Sequence, residues 1–149
     1  MLTYQRNKVW RDEVSLWKDV VQKSSQKARP YNNLGNAYIM QGDFAQAMVD
    51  FNKAIELNPN FGFAYCNRAA SYLRQGDFNH AIDDYNKAIN NDPEYTRAYW
   101  GRATTYYDLR KYDKAWADVR KIQEMGTPID LERIQPLLKA LKAASGTDH

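Results

Sequence analysis

The sequence predicts an all-α fold, a solenoid of three stacked helix pairs between a leading helix and a capping helix. The first observation behind this is a period of 34 residues. Tyr31, Tyr65 and Tyr99 form one series, Tyr38, Tyr72 and Tyr106 a second, and Phe44, Phe78 and Tyr112 a third. Ala47, Ala81 and Ala115 keep the same register, as do Lys53, Lys87 and Lys121. The second observation is the spacing inside a copy. Tyr31, Leu34, Gly35, Tyr38 and Ile39 fall at i, i+3, i+4, i+7 and i+8, one face of a helix, and Phe44, Ala47, Met48, Phe51, Ala54 and Ile55 make a second such face. The third is the punctuation between and after the two faces. Gly42 suits the left-handed residue just past a helix end, Asp43 suits a helix N-cap, and Asn58-Pro59 closes the unit, because proline disfavours helix in the residue before it.

Taken in order, residues 1–24 read as one amphipathic helix. Trp10, Val14, Trp17 and Val21 fall on one stripe with Val20 beside them, and Arg11, Asp12, Lys18 and Asp19 lie opposite. That stripe is either core, packed on the helix at 31–41, or the seat of a partner. Three antiparallel pairs follow, each of two helices about 14 residues long. In the third pair Arg110-Lys111 replaces Gly-Asp, and a non-glycine residue in the left-handed region costs about 1 kcal/mol, so the sequence predicts a differently built turn there. Asp43 and Asp77 read as helix caps, and Asp83-Asp84 as a solvated pair. Thr127-Pro128-Ile129-Asp130 reads as a helix start, with threonine as the cap. Ile134, Leu138 and Leu141 form the apolar face of the helix that follows, with Leu131 and Leu137 beside them, and Glu132, Arg133, Lys139 and Lys142 form the wet one. Pro136 is expected to kink or split it. Its role is to cover the apolar end of the last pair, and residues 144–149 form a polar tail.

These residues resemble the tetratricopeptide repeat. With Ala28 as position 1, the first copy has Tyr31, Leu34, Gly35, Tyr38, Ala47, Phe51, Ala54 and Pro59 at the family's positions 4, 7, 8, 11, 20, 24, 27 and 32. The second copy has Tyr65, Arg68, Ala69, Tyr72, Ala81, Tyr85, Ala88 and Pro93 there. The third has Tyr99, Arg102, Ala103, Tyr106, Ala115, Val119, Ile122 and Thr127. The resemblance covers about two-thirds of the chain and implies a right-handed superhelical solenoid, divided as 1–27 (a partial repeat), 28–61, 62–95, 96–129 and 130–149 (cap and tail). In this register Trp10, Trp17 and Val20 fall at positions 17, 24 and 27, so the leading helix looks like the second half of an incomplete repeat, with Ser25 in the proline slot. Such a half-repeat implies a missing half, or a membrane segment, upstream in a longer parent. The leading segment is also similar to the stretch after the last transmembrane helix of bacterial membrane proteins that carry C-terminal tetratricopeptide arrays.

The bulk properties exclude several classes. The net charge is +3, with seven Lys/Arg against three acids in residues 1–30, four against eight in 31–95 and ten against seven in 96–149. Basic ends around an acidic middle are not the continuous basic track of a nucleic-acid reader. Cys66 is the sole cysteine, so no internal disulfide forms. No run of 18 apolar residues and no signal-peptide core is present, so no direct membrane insertion is expected. No nucleophile–base pair, metal-ligand spacing or phosphate loop stands out: Cys66 has no histidine in register, His80 falls near the start of a second helix, and His149 ends the chain. The expectation is therefore no enzyme, no cofactor and no metal.

What remains is a binding surface. In the family the first helices line a concave groove, and positions 2, 5, 6, 9, 12 and 13 face a ligand. The resemblance places there Arg29, Asn32, Asn33, Asn36, Ile39 and Met40, then Phe63, Cys66, Asn67, Ala70, Leu73 and Arg74. The third copy supplies Arg97, Trp100, Gly101, Thr104, Tyr107 and Asp108. An amide carries a donor and an acceptor, so it pairs with a peptide unit whatever the side chain. The candidate site is Asn33, Asn36 and Asn67 for the peptide backbone, Arg74 and Arg97 for charge, and Trp100 with Tyr107 as an aromatic anchor. Two alternatives stay open: Asn32 and Asn33 solvate the groove, and the two aromatics pack on the capping helix. The family's clamp for a C-terminal carboxylate is half present, with Asn36, Asn67 and Arg97 matching but Asn32 and Gly101 standing where basic residues belong. That disfavours capture of chaperone tails. The expected function is a non-catalytic module binding a protein or peptide partner. Its rivals are an accessory domain of a membrane glycosyltransferase-like protein and self-assembly as a homo-oligomer. The expected place is cytoplasmic for a complete chain and membrane-tethered for a fragment.

Overall fold

The structure, a computed structural model, describes residues 2–144 and, within them, the side chains from residue 13 onward other than those of Leu131 and Arg133. Trp10 of the leading stripe, the wet-face Arg133 and most of the polar tail therefore lie outside the described side chains. Eight helices follow one another, and no strand occurs among the described residues: α1 (Leu2–Lys23), α2 (Ala28–Gln41), α3 (Phe44–Leu57), α4 (Gly62–Arg74), α5 (Phe78–Asn91), α6 (Thr96–Asp108), α7 (Tyr112–Glu124) and α8 (Leu131–Ala144). The chain is an all-α solenoid. Pairs α2–α3, α4–α5 and α6–α7 stack in sequence, α1 packs on the first and α8 on the last.

Alanines at which two helices meet are fully buried: Ala47, Ala54, Ala81, Ala88 and Ala115. Large side chains fill the remaining space. Val14, Leu34, Ala37, Tyr38, Ala47 and Phe51 make a core shared by α1, α2 and α3, with Trp17 and Val21 packed against it. Tyr65, Ala69, Tyr85, Ala88, Tyr99 and Ile122 belong to a second core, through the middle of the array. Ala103, Ala115, Val119, Ile134 and Leu137 make the third, closed by α8. The described residues of the leading stripe are thus core residues.

The turns depart from expectation in an informative way. Gly42 and Gly76 take φ of 87° and 76°, as a left-handed helix end requires, and Arg110 at the same register takes φ of 57°. Its hydrogen bonds repeat those of the glycine turns: the Asp43, Asp77 and Lys111 amides donate to Tyr38, Tyr72 and Tyr106 carbonyls at 2.9, 3.0 and 2.8 Å. The third turn is therefore built like the others, contrary to the sequence expectation. Packing of α6 on α7 fixes the backbone, and Arg110 bears the strain. Asp43 and Asp77 accept from the amides of Gln46 and His80 at 3.1 and 3.2 Å, whereas Lys111 provides no side-chain cap.

Two expectations at the C-terminal end are corrected as well. The Thr127 amide still donates to Ile122 at the end of α7, after Gly126 at φ 72°, so Thr127 closes one helix rather than opening the next. Asp130 accepts from the Glu132 amide at 3.0 Å instead, and α8 begins at Leu131. That helix continues through Pro136 without splitting. Ile134 and Leu137, on either side of the proline, are both buried in the third core, which holds the helix together where its ladder lacks one donor.

Asp83-Asp84 is not a solvated pair. Asp83 is exposed, but Asp84 is 3% exposed and takes two hydrogen bonds from Arg68, Nε to Oδ2 at 2.6 Å and Nη2 to Oδ1 at 2.8 Å. The same guanidinium donates to Asn52 of α3 at 2.6 Å, so one side chain ties α3, α4 and α5. One period later Arg102 holds Asp118 at 2.9 and 2.5 Å and Asn86 at 2.6 Å. Buried bidentate pairs of this kind hold register because an unpaired charge there is costly. The first pair lacks the arginine. Leu34 stands in its place, and the Asp50 carboxylate is buried with Oδ2 accepting no hydrogen bond among the described residues. Burial pushes its pKa from 3.8 up to about 6, against the pull of Gln46 and Lys18.

Two outcomes follow from these geometries. The double substitution Arg110→Gly/Lys111→Asp, which rebuilds the turn of the other pairs, is expected to raise stability by about 1–2 kcal/mol in denaturant titration; an unchanged or lower midpoint contradicts the strain and the missing cap. Because folding raises the Asp50 pKa, its burden on the fold is absent below pH 3.8 and complete above about pH 6. Asp50→Asn is therefore expected to stabilise by on the order of 1–3 kcal/mol at neutral pH, and by little near pH 4. Unfolding measured at both pH values checks this, and an equal gain at both excludes Asp50 as its source.

Candidate functional site

The first helices α2, α4 and α6 lie side by side, so their groove positions form three parallel rows. Their starts follow from sequence: Pro30 belongs to the first turn of α2, where its missing N–H is harmless, and Pro59 and Pro93 end what precedes α4 and α6.

Across the first two rows the structure brings three amides together. Asn67 Nδ2 donates to Asn32 Oδ1 at 2.8 Å, and Asn32 Nδ2 reaches Asn33 Oδ1 at 3.4 Å. Asn32 and Asn67 are buried, with 5% and 6% exposure, and Asn33 and Asn36 are half-buried. The side-chain Oδ1 of Asn67 accepts nothing among the described residues, although it is buried. A buried acceptor gains about 1–3 kcal/mol from finding a donor. Asn32, absent from the candidate set, is the link between Asn33 and Asn67. Its adjacency to Asn33 was visible in the sequence, but the span from α2 to α4 was not.

The other candidates are dispersed. Arg74, at the far end of α4, is exposed and lies over the Phe44 ring at 5.9 Å, facing the turn. Arg97, in the first turn of α6, hydrogen-bonds Tyr95 and acts on Cys66 through its charge. Burial pushes the Cys66 thiol up, with Arg97 opposing, and burial likewise raises the Tyr85 and Tyr95 hydroxyls. A buried protonated thiol is a poor nucleophile. Phe63, half exposed on the rim, meets Tyr95 at 4.9 Å and Phe61 at 5.7 Å. His80 is exposed, bonded to Asp77 at 2.6 Å and stacked on Tyr72.

Trp100 and Tyr107 pack towards the capping helix. With Ala103, Thr104, Val119, Ile134, Pro136 and Leu137 they line a cavity of about 180 Å³ between α6, α7 and α8. Gly101, which interrupts the amide series in the third row, has a steric cause: a Cβ there would stand 2.2 Å from the Tyr85 ring. Among the described residues no cluster of His, Cys, Asp and Glu has the makings of a metal site, and no helix is long and apolar enough to cross a membrane.

The tetratricopeptide repeat profile matches residues 28–61 and 63–95, which carry α2–α3 and α4–α5. Among solved structures, the first TPR of Spaghetti (RPAP3) bound to HSP90 peptide SRMEEVD is 30% identical, with TM-score 0.74 over 81% of this chain and 95% of that one. MamA is 27% identical, with TM-score 0.72 over 83% of this chain and 72% of its own. The Arabidopsis OM64 TPR domain is 28% identical, with TM-score 0.65 over 80% and 94%. Protein O-mannosyl-transferase Tmtc3 of Drosophila melanogaster is 35% identical over 65 residues, 44% of this chain, and the match spans only 7% of that relative's length. The repeat period, the stacked helix pairs and these likenesses agree, and the chain belongs to the tetratricopeptide repeat family.

Proposed function

We propose that this chain is a non-catalytic interaction module that holds an extended peptide in the groove of α2, α4 and α6. The observation that carries the reading is Asn67, whose amide donates to Asn32 while its buried oxygen has no donor. A bound peptide that draws the Asn67 amide outward supplies one from its N–H. Asn33 and Asn36, half-buried beside it, have donors to offer the next peptide carbonyl, so the row suits a backbone whatever its side chains. Exposed Arg29 and Arg97 add positive charge near the starts of α2 and α6, which favours a ligand with acidic residues. A bound short peptide in the Spaghetti domain supports the ligand class. The sequence argues against the same anchoring, because Asn32 and Gly101 occupy positions where a carboxylate clamp wants cations, and here one is tied into the amide row and the other lies under Tyr85.

The test is selection from a random peptide library on the intact chain and on Asn33→Ala/Asn67→Ala. Retained peptides are expected to lose about tenfold in affinity on the double variant, two hydrogen bonds' worth, measured at a temperature where it is still folded, because loss of the donor to buried Asn32 Oδ1 lowers its melting temperature. No enrichment on either chain overturns the reading. A second reading rests on the Tmtc3 likeness: the module positions a polypeptide acceptor for glycosyl transfer performed elsewhere in a larger protein. Selection of hydroxyl-rich acceptor peptides favours it. A concentration-dependent mass without any peptide favours self-assembly instead.

A further inference from the structure

One edge of the groove is made, in each row, by the residue before the first helix and the second residue within it. On α2 these are Lys27 and Arg29, on α4 Phe61 and Phe63, and on α6 Tyr95 and Arg97. The edge therefore runs from cation through aromatic to cation across the three rows. Its middle is one cluster, with the Phe63 ring 5.7 Å from Phe61 and 4.9 Å from Tyr95. Phe61 and Tyr95 are half-buried where their helices begin, whereas Phe63 leaves 50% of its surface in solvent at a groove-facing position. Arg97 hydrogen-bonds the Tyr95 hydroxyl, which holds its guanidinium beside the rings and leaves it further donors. Lys27 and Arg29 are exposed on the other flank. Two acids, Asp92 and Glu94, stand in the turn before Tyr95 rather than at groove-facing positions, and Asp92 Oδ1 accepts from the Glu94 amide at 3.1 Å. Packed helices lie about 8–10 Å apart and an extended chain advances about 3.3 Å per residue, so a peptide crossing the rows along the amides spends about three residues on each.

We propose that this edge selects peptides in which one apolar residue is flanked on both sides, about three positions away, by an acidic residue. The inference rests on the groove reading and names the chemistry of its ligand. The apolar side chain lies on the open face of Phe63, one carboxylate meets Arg97, and the other meets Lys27 and Arg29. An exposed ring beside a guanidinium is the kind of group that anchors a ligand, and the charges on either side set which ligand it anchors. Because cations flank the rings on both sides, the pattern is the same for either chain direction. A basic segment with the same apolar residue is refused, since it would set like charges against each other.

The probes are three fluorescein-labelled peptides added to the intact chain and read by anisotropy. The first is Glu-Ser-Ser-Leu-Ser-Ser-Glu, the second an isomer with both glutamates next to the leucine, and the third carries lysine for each glutamate of the first. The spaced acidic peptide is expected to bind about tenfold tighter than its isomer, and the lysine peptide to bind weakest. Phe63→Ala, at a half-exposed position, is expected to cost the spaced peptide about tenfold. Lys27→Glu/Arg29→Glu/Arg97→Glu, at three exposed positions, is expected to move the preference to the lysine peptide, a gain that misfolding cannot produce. Asn33→Ala/Asn67→Ala is expected to weaken both acidic isomers alike, because it removes backbone contacts and leaves the edge as it was. Equal binding of the two acidic isomers, or an unchanged affinity in Phe63→Ala, overturns the proposal and leaves the groove reading standing. Failure of the groove reading looks different, since then no peptide, designed or from the library, is retained by the parent chain, and the proposal falls with it.

Discussion

A ring pressed against a residue with no side chain sets the helix spacing in two places, once within the first pair and once between the second pair and the third. Phe51 lies on Gly35 and Tyr85 on Gly101, both closer than a Cβ would permit. Close packing of this kind gains many small dispersion contacts and tolerates little change in volume. The consequence for the groove is direct. The Tyr85 hydroxyl stands 2.4 Å from where a Cβ of residue 101 would be, so the asparagine found one period earlier at Asn67 has no room to recur. The smaller Phe51, one period before Tyr85, accompanies that asparagine. Where the amide row ends is therefore decided by a core substitution beneath it, not by the groove surface.

A second constraint ties the first helices to the second helices of their own and the preceding pair. Arg68 and Arg102 each bind an aspartate on one neighbour and an asparagine on another, and each also lies over a tyrosine, Tyr65 at 5.6 Å and Tyr99 at 5.5 Å. The first pair keeps the aspartate but not the arginine. In the asparagine's place it has Lys18 of α1, whose ammonium lies 5.5 Å from the Tyr38 ring and is drawn to Asp50 from outside. An exposed lysine compensates a buried carboxylate poorly, which is why Asp50 holds its proton more tightly than an ordinary aspartate. The array is thus electrostatically complete in its second and third pairs and incomplete where α1 stands in for a full repeat.

Most of the fold was legible because the period placed one residue type at each packing position. Helices, caps at Asp43 and Asp77, and the packing of Val14, Trp17 and Val21 all follow from local spacing. Three features were not legible, each for a tertiary reason. Asp84 reads as solvated beside Asp83 until Arg68, 16 residues away, turns out to face it. Arg110 reads as a turn breaker until the packing around it proves strong enough to hold a positive φ. Pro136 reads as a kink or a split, and the third core, closed over both sides of it, keeps the helix from splitting. The candidate site was legible as a set of positions rather than as an arrangement. Two of the three amides, Asn33 and Asn67, are linked through Asn32, while Arg74 and Arg97 lie at opposite ends of their rows and the two aromatics turn towards α8.

The amide row has its limit in one register of the core. Tyr85 stands where a side chain at Gly101 would have to begin, so the third row carries no counterpart of Asn67. Trp100 and Tyr107, in that same row, turn towards α8 and line the hollow between α6, α7 and α8 instead. A buried tyrosine beneath the surface thus leaves the repeat amide-rich in its first two rows and without an amide in the third.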